Sequence, residues 1–107
     1  MALSEEVERA HRQALSECVS GLERRGYLEL WEWLTEERVG LLGRRRRVAA
    51  DSREFEFQAA SGVEGDVEVW ASIRDGRVLQ VFVDFYPDGV ADHAVGESFL
   101  AGPVLEP

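Results

Sequence analysis

Along the amino-terminal part of the chain, apolar positions recur at three- and four-residue intervals. Val7, Ala10, Ala14, Leu15, Cys18, Val19 and Leu22 form one stripe, and Glu6, Arg9, Arg12, Gln13, Glu17 and Ser20 lie opposite it. That is the pattern of a helix with one buried face. Ser4 offers a hydroxyl cap, Glu5 and Glu6 sit at the positive end of the dipole, Arg24 and Arg25 suit the last turn, and Gly26 is placed to end it left-handed. The predicted helix runs from about Ser4 to Arg25. A second segment, Tyr27 to Gly43, puts Leu30, Trp31, Leu34, Leu41 and Leu42 on one helical stripe, with Thr35 as the cap of a fresh start. Its Leu-Glu-Leu-Trp-Glu-Trp stretch also alternates, as a short strand would, but leucine and glutamate favour helix. A helical hairpin through Gly26 is the expected result.

Beyond Gly43 the period changes from about four to two. Phe55, Phe57 and Ala59 alternate with Glu54, Glu56 and Gln58, a half-buried strand. From Val67 to Phe85, two apolar runs flank Arg74-Asp75-Gly76, a hairpin signal. A two-residue turn on Asp75-Gly76 mixes polar and apolar groups on both faces. A three-residue loop of Arg74, Asp75 and Gly76, with Gly76 left-handed in a bulge, sets Val67 against Val83, Val69 against Val81 and Ala71 against Leu79. One face then becomes wholly apolar. The other carries Asp66, Glu68, Trp70, Ser72, Val78, Gln80, Phe82 and Asp84, with Trp70 opposite Gln80 and Asp66 beside Asp84. Tyr86-Pro87-Asp88-Gly89 reads as a turn. A fourth strand is expected around Glu97 to Ala101, before an irregular tail marked by Pro103 and Pro107. The predicted fold is a single α+β domain over residues 1–107. Its N-terminal helical hairpin (1–43) packs on one face of a three- to four-stranded antiparallel meander sheet (44–107).

Composition adds constraints. The 107 residues are 45% hydrophobic and 31% charged, the balance of an ordinary globule. The absence of long apolar runs predicts no membrane span. The acidic start, without a basic region and apolar stretch, reads as no signal peptide, which places the protein in the cytoplasm. The lone Cys18 permits no internal disulfide and agrees with that compartment. All twelve basic residues are arginine, and lysine and asparagine are absent, a bias that points to a high-GC bacterial genome. A net charge of −9 argues against nucleic-acid binding and leaves room for a basic partner.

Candidate chemistry is sparse. Trp70 and Phe82 on the outer face need a cover: the arm from Val90 onward or the loop after Ser61, a protein partner, a second copy, or a ligand. Asp66, Glu68 and Asp84 lie beside them, with Glu64, Asp88, Asp92 and His93 near in sequence. Oxygen-rich clusters bind hard cations, and paired carboxylates perform acid–base work, but these acids stand at strand ends without metal-ligand spacing. Arg44, Arg45, Arg46 and Arg47 could contact an anion or an acidic partner. Alternatively they answer the preceding helix's negative end and pair with Glu36 and Glu37. His11 reads as a helix-face residue and Cys18 as a small core residue. No phosphate-binding glycine loop, nucleophile elbow or cofactor motif occurs, so no cofactor, metal or catalytic residue is assigned.

The order of elements, with a helix running into a small second one (Arg25-Gly26-Tyr27 to Val39) and a polar-aromatic strand pair (Ile73-Arg74-Asp75-Gly76-Arg77-Val78 to Tyr86-Pro87), resembles the nuclear-transport-factor-2-like superfamily. The resemblance covers about half of the chain and implies a sheet curled around a pocket for small hydrophobic molecules. It carries over no functional residues. Two functions are therefore expected in order. The first is a non-enzymatic interaction protein, such as an immunity-type inhibitor or regulatory partner, working through Trp70, Phe82, Asp66, Glu68 and Asp84. The second is a small-molecule-binding or enzymatic roll with a pocket lined by Trp31, Trp33 and a carboxylate.

Overall fold

The computed structural model describes residues 4–103, so Pro107 and the end of the expected tail lie outside the described residues. Helix α1 spans Glu5–Arg25, and the Ser4 hydroxyl accepts a hydrogen bond from the Val7 amide at 3.2 Å. Its stripe of Ala14, Leu15, Cys18, Val19 and Leu22 is buried, as the spacing requires. Gly26 ends it at φ 87°, ψ 161°, a glycine conformation with positive φ but extended ψ, not the left-handed helical one expected. Helix α2 follows at once and is short, Tyr27–Leu34.

Here the sequence expectation fails. Residues Thr35–Val39 are strand β1, which pairs antiparallel with β2, Arg45–Ala49. Thr35 does not start a helix but ends one, its hydroxyl donating to the Trp31 carbonyl. Beyond the buried Thr35 no side chain of this segment reaches the core: Val39, Leu41 and Leu42 are exposed. With no buried stripe to stabilise it, helical propensity alone does not hold the segment. Gly40 and Gly43 instead close a turn, Gly40 N–H donating to the Arg44 carbonyl at 2.8 Å and Gly43 N–H to the Gly40 carbonyl at 3.0 Å.

The remaining strands are β3 (Arg53–Gln58), β4 (Glu64–Arg74), β5 (Val78–Pro87) and β6 (Val95–Ala101), in the order β3-β4-β5-β6, an antiparallel meander. The α+β architecture is as expected, two N-terminal helices against one face of a four-stranded sheet, with the small β1–β2 sheet added. The core joins the α1 stripe, Leu30 and Leu34 to Val67, Val69, Ala71, Leu79, Val81, Val83, Phe85 and Val95. Removing such a side chain costs about 2–5 kcal/mol.

The central hairpin has the predicted faces but a different pairing. Val67 opposes Phe85, Val69 opposes Val83, Ala71 opposes Val81 and Ile73 opposes Leu79. The loop is Asp75, Gly76 and Arg77, closed by the Arg77 amide donating to the Arg74 carbonyl at 3.2 Å. Asp75 and Gly76 both take positive φ, 49° and 79°. A shift of two residues along a strand leaves every side chain on its own face, so alternation cannot distinguish the two pairings.

Candidate functional site

The face of the sheet away from the helices is the candidate interface. Alternation puts Glu54 and Glu56 of β3, Asp66, Glu68 and Trp70 of β4, Phe82, Asp84 and Tyr86 of β5, and Ser98 and Leu100 of β6 on it. The corrected pairing changes who meets whom. Trp70 faces Phe82, not Gln80, and the two rings stack at 5.5 Å between centroids with 12° between planes. Asp66 faces Tyr86 rather than lying beside Asp84, and Asp84 faces Glu68.

Among the described residues, neither expected cover lies over the aromatics. The arm beyond Val90 becomes β6 and pairs with β5 at its edge, and Ser98 opposes Phe82. A shallow cleft of about 340 Å³ is left over Trp70, Phe82, Asp84, Gly96, Glu97 and Ser98. Molecular extents of 53 × 37 × 19 Å fit two layers, and among the described residues no element forms a third.

Beside the aromatics the face is strongly acidic. Glu54 opposes Glu68, which opposes Asp84, and Glu56 opposes Asp66, so two rows of carboxylates meet directly across strands. Like charges in such positions destabilise a sheet. Burial, and then the Glu68 charge, raise the Asp84 pKa above its ordinary value. All ion pairs found among the described residues lie elsewhere, on the helices and the β1–β2 hairpin. Among the described residues no group of three or more His, Cys, Asp or Glu is arranged to hold a metal ion.

Three of the four consecutive arginines, Arg45, Arg46 and Arg47, lie in β2, whose alternation turns them to different faces, and Arg44 precedes the strand. Arg47 reaches the end of α2, its Nε donating to the Thr35 hydroxyl at 2.7 Å and its guanidinium lying 3.2 Å from Glu32. Arg45 stands 3.5 Å from Glu37. Arg46 lies directly across from Arg38, whose guanidinium is bonded to Glu36. Among the described residues, ion pairs therefore neutralise only part of the cluster.

Two further features lie off this face, and the first contains Trp33 and a carboxylate, Glu17, of the pocket expected from the sequence but not Trp31. The cleft between α1 and β3, about 620 Å³, is lined by Glu17, Cys18, Leu22, Trp33, Phe55 and Phe57 among others, and Arg25 caps it by stacking over Trp33 at 4.9 Å. Burial pushes the Cys18 thiol up to about 11, so it is not a nucleophile there at neutral pH. His11, 6% exposed, packs its ring 5.6 Å from that of His93, and among the described residues neither His11 Nδ1 nor His93 Nε2 has a hydrogen-bond partner. A contact across 82 residues leaves no local sequence signal. Compared with known proteins, the chain significantly matches no family model, no curated protein and no solved structure.

Proposed function

We propose that this protein is a non-enzymatic binding protein whose outer sheet face covers a basic surface of a protein partner, as an immunity-type inhibitor or regulatory partner does. One observation carries the reading: a stacked Trp70–Phe82 pair bordered by opposed carboxylates that lack cationic partners among the described residues. Aromatic rings are favoured anchors at the centre of interfaces, and a guanidinium or ammonium from a partner relieves the acid–acid repulsion. The test uses a synthetic peptide alternating arginine and leucine, titrated against isotope-labelled protein. Amide and indole shifts centred on Trp70, Phe82, Glu68 and Asp84, lost in a Trp70→Ala/Glu68→Lys variant, are expected. Shifts scattered over α1, or none, would overturn the proposal.

The cleft between α1 and β3 favours a second reading, a small-molecule carrier. Its volume is in the range of ligand pockets, roughly 300–1,000 Å³, and its wall is aromatic with Arg25 at the rim. It lies between a helix and an edge strand, not within a curled sheet. Calorimetry with medium-chain carboxylates, showing heat in the native protein and none in a Leu22→Trp variant, is the outcome that would favour this reading.

A further inference from the structure

The β1–β2 hairpin has the opposite character to the sheet face. Its turn presents Leu41 and Leu42, 107% and 86% exposed, with Val39 also exposed beside them. The hairpin carries five arginines, Arg38, Arg44, Arg45, Arg46 and Arg47, against its own two carboxylates, Glu36 and Glu37, with Glu32 of α2 pairing Arg47, in a chain whose net charge is −9. Arg46 and Arg38 oppose each other across the ladder, and Glu36 is bonded to Arg38. Two adjacent, fully exposed leucines on a hairpin rich in cations form an unpartnered binding element.

We infer that this hairpin docks on the outer sheet face of a second copy of the chain, its leucine tip against Trp70 and Phe82 and its arginines against Glu54, Glu56, Asp66, Glu68 and Asp84. The inference rests on the reading of that face as an interface and names the occupant. Both halves of the charge match are present in one molecule: opposed carboxylates without cations on one side, opposed guanidinia short of carboxylates on the other. The exposure of Leu41 and Leu42 means that the tip of the hairpin does not lie on its own sheet, although β2 itself touches β4. The contact is heterologous, joining different patches of the two copies, so copies add head to tail. An anionic bilayer would attract the same tip, but the strongly acidic body that follows it opposes approach to such a surface.

Sedimentation at low and high salt, with two variants, tests this. Leu41→Asp/Leu42→Asp disables the hairpin at fully exposed positions, and Trp70→Ala/Glu56→Lys disables the face. The native chain is expected to grow in mass with concentration at low salt and to return to monomer at high salt. Each variant alone is expected to lose association by about tenfold or more. Mixing the two variants restores a one-to-one pair, because one supplies the hairpin and the other the face. A native chain that stays monomeric at every concentration overturns the inference, as does a mixture that forms no pair. Hairpin-dependent binding to phosphatidylglycerol vesicles without self-association overturns it in favour of a membrane. If the arginine–leucine peptide still shifts the face of a monomeric native chain, only the self-docking fails. If the peptide shifts nothing, the face reading fails with it.

Discussion

Two single positions test how tightly the fold is drawn. Gly65 stands where β4 passes closest to β5. A Cβ there would come within 2.9 Å of the Phe85 ring and the Pro87 Cα, and nearer still to the Tyr86 carbonyl oxygen. Gly65→Ala should therefore cost about 1–3 kcal/mol through overpacking, read as a lower urea midpoint with an unchanged slope. His11 makes a pH prediction. Burial, then the neighbouring His93, lower its pKa from 6.5, outweighing Glu8, which raises it. The unfolded chain then binds the proton more readily than the folded one. Stability is full above about 6.5 and falls as the pH drops from there toward the folded value. Melting temperature followed from pH 7.5 to 5.5 should decrease, and His11→Leu should flatten that limb. An unchanged slope in the variant would assign the dependence to other groups.

At the scale of elements, what could be read in advance depended on whether the core enforced it. Helix α1 and strands β3 to β5 carry apolar residues on their core side at a regular period, so their existence and their faces were legible, whereas β6, which sets Glu97 opposite Val83, was expected only as a strand around Glu97 to Ala101. The partner of Trp70 was not, because Asp75 and Gly76 together take positive φ and carry Arg77 into the loop, a choice of turn that alternation does not record. The β1–β2 hairpin was missed for a related reason. None of Val39, Leu41 or Leu42 is buried, so the helical stripe expected to continue through Leu41 and Leu42 corresponds to no buried face, and the cues to the turn were Gly40 and Gly43 on either side of the leucines. Its attachment is correspondingly local. Arg47 ties β2 to Thr35 and Glu32, and Ala50 N–H donates to the Leu34 carbonyl at 2.9 Å. Arg47→Ala should accelerate amide exchange across Thr35–Val39 and Arg45–Ala49 while leaving β4 and β5 protected. Equal acceleration in both sheets would make the hairpin part of the global unfolding unit.

For the whole molecule, the separation of charge gives salt two opposing effects. The chain carries a net −9, and the carboxylates of Glu54, Glu68 and Asp84 face one another across three strands. Salt screens repulsion between exposed charges, with a Debye length of about 10 Å at 0.1 M, so the folded monomer should gain stability as salt rises. Glu68 sits in the middle of that row and contributes to the raised pKa of Asp84. Replacing it with glutamine removes two of the opposed pairs, which should stabilise the monomer by about 0.5–1 kcal/mol at low salt and reduce its salt dependence. The same screening weakens any contact between the arginine-rich hairpin and the acidic face. Thermal unfolding measured at a dilution where only monomer exists should thus improve with salt, while association measured at high concentration declines. A melting temperature that falls with salt in the dilute monomer would mean that the ion pairs of α1 and the hairpin outweigh the acidic rows, and the acidic face would then not be the dominant unneutralised charge of the molecule.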